Sequence, residues 1–139
     1  MGIEDALRIL SEKYGAGCEV SFGELLAYLS GPTYEDDLIS LDQVLNEDLL
    51  LLHELAEICI LKKMGHRINR NTVMNAYPDT YQAHLEAMRI ELSEAERMGQ
   101  LSWIEGRCRD LGRYLGDQHL PRNLEPLVHQ LIKQYCRGL

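Results

Sequence analysis

Apolar side chains recur at helical spacing along most of the chain, and the densest run lies between Glu47 and Met64. At about 100° per residue, most apolar residues of this run cover an arc of roughly 200°. Leu50 and Leu61 fall outside that arc, beside Glu57. A surface helix keeps its outer face polar, so the pattern predicts a long helix that is buried on most of its sides.

Sequence signals for helix starts place the neighbouring elements. A capping box joins a Ser to a Glu or Gln three residues later, and the sequence predicts such boxes at Ser21, Ser40 and Ser102. The box at Ser40 starts the central helix near Leu41, with a break near Asn46 as an alternative to one continuous helix.

A second long helix is predicted from Asp79 to Met98, because Pro78 suits the start of a helix. Two titratable side chains, His84 and Glu91, fall inside its apolar arc, where the pattern calls for leucine. Glu is rarely fully buried without a partner. Glu91 is therefore the position that fits a plain hydrophobic core least well.

The predicted helices, together with the composition, indicate the fold class. Val is scarce and β-branched runs are few, which disfavours strands. The sequence predicts an all-α fold, a compact helical bundle of five to six helices organised on two long antiparallel helices. With 139 residues, the chain is expected to form a single helical-bundle domain, 1–139.

Composition and net charge argue against two classes of binding partner, nucleic acids and membranes. The net charge of −8 argues against a nucleic-acid surface, which needs a basic stripe, and against anionic membranes. The acidic run at Glu35, Asp36 and Asp37 is interpreted as a solvated connection. No apolar run reaches membrane length, and the N-terminal ten residues are too acidic for a signal peptide. These features predict a cytoplasmic protein.

Four cysteines are spread along the chain without a CxxC pair, at Cys18, Cys59, Cys108 and Cys136. This spacing fits neither a zinc site nor a redox motif. The prediction is that they are reduced thiols in a reducing compartment, with Cys59 and Cys108 packed as small apolar groups on helix faces.

Histidine and carboxylate side chains on the two long helices form the candidate site. His53 and Glu57 are four residues apart and share one helix face. If the helices are antiparallel, depth counted from their connection places Glu57 level with His84, and His53 level with Glu91. Three interpretations remain open: structural His–Glu pairs that satisfy each other, a divalent Fe, Mn or Zn site, and a pH-sensitive packing switch.

A family resemblance adds two acidic residues to this site. The segments Glu54-Leu-Ala-Glu57 and Glu91-Leu-Ser-Glu94 resemble the paired ExxE and ExxD motifs of the MazG-like all-α NTP pyrophosphatases, although the second motif here ends in Glu. The resemblance covers about a third of the chain. It implies that these four carboxylates hold Mg²⁺, which activates water for attack on a nucleotide phosphoanhydride.

Two hypotheses of different classes follow. The first is a metal-dependent hydrolase with a divalent ion (Mg, Mn, Fe or Zn) between the helices and no organic cofactor. Its candidate metal ligands are His53, Glu54, Glu57, His84, Glu91 and Glu94. The second is a non-enzymatic helical interaction protein, with structural His–Glu pairs. The leucine excess on both sides of the central helix also predicts a homodimer, because a small bundle needs a partner to cover it.

Overall fold

The computed structural model of the protein describes residues 1–33 and 39–137, and the regular elements within these ranges are all helical. The all-α prediction is confirmed. The acidic run at Glu35–Asp37 lies outside the described residues. The α-helices, in chain order, are α1 (Ile3–Tyr14), α2 (Phe22–Ser30), α3 (Leu41–Asn46), α4 (Asp48–Lys63), α5 (Thr72–Asn75), α6 (Asp79–Arg97), α7 (Leu101–Tyr114) and α8 (Glu125–Tyr135), and a 3₁₀ turn at Arg122–Leu124 precedes α8.

Helices α4 and α6 are the centre of the bundle and pack against each other along their length. One hydrophobic cluster joins α4 to α1, α2 and α3, and a second joins α6 to α7 and α8. Leu51, Leu55 and Leu61 of α4 are fully buried, as the apolar pattern on several faces predicts. Because its own chain covers these leucines, α4 does not require a partner subunit, and the homodimer stays an untested prediction.

The break near Asn46 is present. Glu47 takes an extended conformation (φ −127°, ψ 110°) between α3 and α4, and its carboxylate accepts a hydrogen bond from the Leu49 amide at 3.4 Å. The capping boxes at Ser21 and Ser40 are confirmed. Together these residues fix where α4 starts, and so which of its side chains face α6.

The capping box predicted at Ser102 is wrong. Helix α7 begins at Leu101, so Ser102 lies inside its first turn, and Gln100 is the N-cap without a side-chain hydrogen bond. The reason lies in Gly99, whose φ of 69° belongs to the left-handed region that favours glycine. The turn at Gly99 reverses the chain directly after α6, and α7 starts before the Ser/Glu pair can cap it.

The prediction of reduced cysteines is wrong. Cys18 is bonded to Cys59 and Cys108 to Cys136, with Cα–Cα distances of 5.5 and 5.8 Å. Sequence spacing could not reveal these pairs, because the partners are brought together by the packing of separate helices. Within residues 1–33 and 39–137, no helix combines the length and apolar character needed to cross a membrane.

Candidate metal centre

Three potential ligand atoms meet in the interface between α4 and α6. His53 and Glu57 project from one face of α4, since they lie one turn apart, and His84 comes from the first half of α6. Nε2 of His53 lies 3.2 Å from Oε1 of Glu57, and Nδ1 of His84 lies 2.8 Å from the same oxygen. The two ring nitrogens are 3.1 Å apart. The three atoms thus form a nearly equilateral triangle.

Both cross-helix layers predicted from the sequence are present. Glu57 contacts His84 in one layer, and in the other Nδ1 of His53 lies 2.7 Å from Oε1 of Glu91. Residue numbers rise along α4 as they fall along α6, so the two helices are antiparallel. His53 belongs to both layers, because one ring nitrogen faces Glu57 and the other faces Glu91.

The contact between His53 and Glu91 is close but not aligned as a hydrogen bond. At 2.7 Å it is an ion-pair distance, yet by hydrogen-bond geometry Nδ1 is a buried nitrogen without a partner. A small rotation of the ring would align the two groups. A carboxylate at Nδ1 favours the tautomer that carries its proton there. The lone pair of Nε2 then points at Glu57 and His84.

His84 is oriented from its other nitrogen. Its Nε2 is hydrogen-bonded to the hydroxyl of Tyr114 on α7 at 2.6 Å. With a proton on Nε2, the Nδ1 lone pair faces the triangle. Two imidazole lone pairs and one carboxylate oxygen then converge on a single point, an arrangement that needs a proton or a metal cation to be stable.

In the metal-free protein a proton on His53 can fill this role. Burial lowers the pKa of His53, but hydrogen bonds to Glu57 and Glu91 outweigh burial and raise the pKa to about 10. Burial also disfavours the charge on Glu57, whereas its contacts with the imidazole rings of His53 and His84 hold the pKa of Glu57 far below its usual value. The Tyr28 hydroxyl donates to Oε2 of Glu57, so this carboxylate is held from three sides.

Glu91 is clamped from α7. Arg107 donates from Nε and Nη2 to its two carboxylate oxygens at 2.6 and 2.8 Å, and the Trp103 indole N–H also donates to Oε2. Glu91 is fully buried. Burial would raise its pKa, but His53 and Arg107 lower that pKa to about 2. The carboxylate is therefore ionised, and both of its oxygens already have partners.

Glu54 lies beside the triangle in a cavity of about 520 Å³. The cavity is also lined by His53, Glu57 and His84. Glu54 is buried but makes no hydrogen bond within the part of the chain that the structure describes. Burial and the neighbouring Glu57 raise its pKa to about 8.

Glu94 is directed away from this group, towards α1. Its carboxylate accepts hydrogen bonds from Tyr14 at 2.8 Å, Lys13 at 3.0 Å and Arg97 at 2.9 Å. Burial would raise its pKa, and these donors lower it. Of the six predicted site residues, the structure brings three into mutual contact: His53, Glu57 and His84.

Sequence reasoning missed the supporting residues of the site. Trp103 and Arg107 are four residues apart on α7 and both reach Glu91; in the sequence they fit the apolar stripe of an amphipathic helix. The signal that could have found them is Arg107 itself, a charged residue inside that stripe. Tyr28 and Tyr114 carry no such signal, because tyrosine packs in cores without a polar role. Comparison with known proteins finds no matching family, curated protein or solved structure.

Proposed function

We propose that the protein is a metal-dependent hydrolase whose single divalent ion is bound by His53, Glu57 and His84. The observation that supports this is the triangle of donor atoms with sides of 2.8 to 3.2 Å. These three residues would hold one divalent ion, and the adjoining cavity would leave room for water and substrate.

The ligand set narrows the choice of metal. Two imidazoles and one carboxylate on one face of an ion suit Fe²⁺, and Mn²⁺ and Zn²⁺ accept the same donors. Glu91 and Tyr114 support the two histidine ligands. Each contacts the ring nitrogen that faces away from the triangle, Nδ1 of His53 for Glu91 and Nε2 of His84 for Tyr114. Such outer contacts fix the tautomer and orientation of a ligand.

Glu54 is the proposed proton acceptor. It directly follows His53, and on a helix the sequence His-Glu-x-x-ligand places the first and fifth side chains at the ion and the second beside it. Here Glu57 is the fifth residue, and His84 supplies the second imidazole. Glu54 lines the cavity next to the ligands and makes no hydrogen bond in the described ranges, so its carboxylate is available to a water molecule.

The ion would supply the remaining chemistry. A bound divalent metal lowers the pKa of a coordinated water and polarises the bond under attack. The MazG-like resemblance, in which Glu54, Glu57, Glu91 and Glu94 share Mg²⁺, remains a hypothesis. The ion pairs of Glu91 with Arg107, and of Glu94 with Lys13 and Arg97, weigh against that ligand set.

The proposal is tested with two pairs of variants. His84→Ala should lose tight Zn²⁺ or Mn²⁺ binding in isothermal titration after chelator dialysis, whereas the control His129→Ala, an exposed histidine on α8, should bind like the wild type. Glu54→Gln should keep the metal but lose hydrolytic activity on a panel of esters, amides and phosphoesters. Its control is Glu12→Gln, on the exposed face of α1. Equal metal binding by both histidine variants would exclude this site.

A second candidate is a non-enzymatic helical protein in which the same residues are purely structural. It is favoured by the position of His53, whose doubly protonated ring can pair with Glu57 and Glu91 without any metal. A homodimer and a cytoplasmic location remain proposals. The two disulfides weigh against the latter, because such bonds persist mainly in oxidising compartments.

A further inference from the structure

The cavity beside the three ligand atoms has one apolar wall. Leu29 of α2, Ile39 and Val73 line it together with the ring of Tyr81. The first three are partly buried and pack against the hydrophobic core behind them. Its volume of about 520 Å³ lies in the range of small-molecule sites. This wall offers contact area to an apolar group of a ligand and no charge.

Other lining residues belong to α7 and the turn that follows it, and their charges are paired. Asp110 lies between two guanidinium groups: Arg107 donates to it at 3.3 Å, and Arg113 forms a second ion pair with it. Asp117 accepts a hydrogen bond from the Tyr81 hydroxyl at 2.7 Å. Arg107 also donates hydrogen bonds to Glu91 through Nε and Nη2.

The charge balance of the cavity follows from these pairs. Among its described lining residues there are four acidic side chains and two guanidinium groups; with all four acids ionised and both histidines neutral, one divalent ion would make the formal sum zero. The residues that carry these charges are Glu54, Glu57, Asp110, Asp117, Arg107 and Arg113. Sites that bind phosphoanhydrides concentrate positive charge from several Lys, Arg or metal ions around the phosphates. No such surplus exists among these residues.

We infer that the cavity binds a small uncharged acyl compound, an amide or an ester, and not a polyanionic phosphoanhydride. This inference rests on the proposed metal centre and names its substrate class. The apolar wall takes the acyl side chain, and the carbonyl group meets the open face between His53, Glu57 and His84. An uncharged substrate leaves the ion pairs of Asp110 with Arg107 and Arg113 undisturbed.

The reaction balances without a further reagent. Glu54 takes a proton from the attacking water, the water oxygen bonds to the carbonyl carbon, and the C=O electron pair moves to the carbonyl oxygen. That pair returns as the C–N or C–O bond breaks, and the proton from Glu54 passes to the leaving nitrogen or oxygen. One water is consumed, and a carboxylic acid and an amine or alcohol are released.

The test compares neutral and anionic substrates on one preparation. The full chain is dialysed against a chelator, reloaded with Zn²⁺ or Mn²⁺, and its metal content is measured. The specificity constant kcat/KM is then determined for para-nitrophenyl butyrate and acetyl-leucine para-nitroanilide, which are uncharged, and for para-nitrophenyl phosphate and ATP. Glu54→Gln, loaded with the same metal, gives the background, and Glu12→Gln is the matched control.

We expect kcat/KM for at least one uncharged substrate to exceed that for both anions by about tenfold or more, and to fall about 100-fold or more in Glu54→Gln. The inference is overturned if ATP or para-nitrophenyl phosphate shows Glu54-dependent turnover and neither uncharged substrate does, or if either anion is turned over faster than both uncharged substrates in a Glu54-dependent way. Failure of the proposed function looks different: the wild type does not retain metal, or Glu54→Gln matches the wild type on every substrate.

Discussion

Oε1 of Glu91 on α6 lies 2.7 Å from Nδ1 of His53 on α4, on the side of the imidazole ring opposite the nitrogen that faces Glu57 and His84. Arg107 holds that carboxylate from α7 through two of its nitrogens. Glu91 is thus a positioning residue: it favours a proton on Nδ1, so that the Nε2 lone pair faces Glu57 and His84, where the proposed ion would bind. Glu91 thereby connects Arg107 on α7 to His53 on α4.

Replacing Glu91 by Gln should destabilise the metal-free protein. The substitution removes the carboxylate charge that accepts two hydrogen bonds from the largely buried Arg107 guanidinium, which keeps its longer contact with Asp110. Breaking a buried pair from one side costs about 3–5 kcal/mol. Urea unfolding in the presence of a chelator measures this loss. The control Glu96→Gln, at an exposed position of the same helix, should change the free energy of unfolding by no more than about 0.5 kcal/mol. A loss at Glu91 equal to that of the control would contradict the clamp.

The stability of the metal-free protein should fall as the pH rises from about 6.5 to about 10. The pKa of His53 is about 10 in the folded protein and about 6.5 in an unfolded chain. The stabilisation that His53 provides is complete at pH values below its pKa in the unfolded chain. It is lost as the pH rises through its pKa in the folded protein. Glu54, with a pKa raised to about 8, acts in the same direction up to that pH.

The slope should approach about 1.4 kcal/mol per pH unit for each proton involved. Denaturant unfolding at several pH values with chelator present measures it. Between pH 8 and pH 10, His53 is the one of these two groups whose charge still differs between the folded and unfolded states. The variant His53→Gln should therefore flatten the plot of unfolding free energy against pH in this range. A wild-type curve that is flat or rising in this window would show that His53 is not held protonated between two carboxylates.

Metal affinity should show the opposite dependence on pH. A metal at Nε2 of His53 replaces the proton that stabilises the metal-free site, so apparent affinity should rise about tenfold per pH unit between pH 6 and pH 8. Competition with a chromophoric chelator at fixed ionic strength gives the affinity at each pH. An affinity that does not change with pH would mean that the ion binds elsewhere, away from His53.

The sequence predicted the centre of the fold and the two His–Glu layers, and helical geometry explains why. Spacing along α4 and α6 determines which side chains share a face, and antiparallel packing then sets which residues lie at the same depth. His53 and Glu91 could be matched in this way because both lie on long, regular helices.

Contacts that depend on a third element could not be predicted. Arg107 reaches Glu91 because of the path of the chain between α6 and α7, and that path depends on the left-handed turn at Gly99. The same turn removed the capping box predicted at Ser102. The disulfide partner of Cys59 lies in the connection after α1, and no periodicity relates the two positions.

The disulfides give a prediction of their own. The bonds Cys18–Cys59 and Cys108–Cys136 span sequence separations of 41 and 28 residues. Closing loops of this length stabilises a protein by about 2–4 kcal/mol for each bond, mainly by restricting the unfolded chain. Reduction should therefore lower the free energy of unfolding by about that amount per bond.

A thiol assay under denaturing conditions provides the control for this prediction. It should detect no free thiol before reduction and all four cysteines afterwards. Free thiols in the native preparation, or unchanged stability after complete reduction, would contradict the pairing. The double variant Cys108→Ser and Cys136→Ser isolates the contribution of the α7–α8 bond.

The most direct measurement is the stoichiometry of metal binding after exhaustive chelator dialysis, determined by titration with Zn²⁺ and with Mn²⁺ and checked by elemental analysis. We expect one equivalent for the wild type and for His129→Ala, and loss of that equivalent in His84→Ala, which removes one corner of the triangle but keeps the His53–Glu91 contact. Absence of binding in the wild type, or one equivalent retained by His84→Ala, would contradict the metal centre and leave the His–Glu network with a structural role alone.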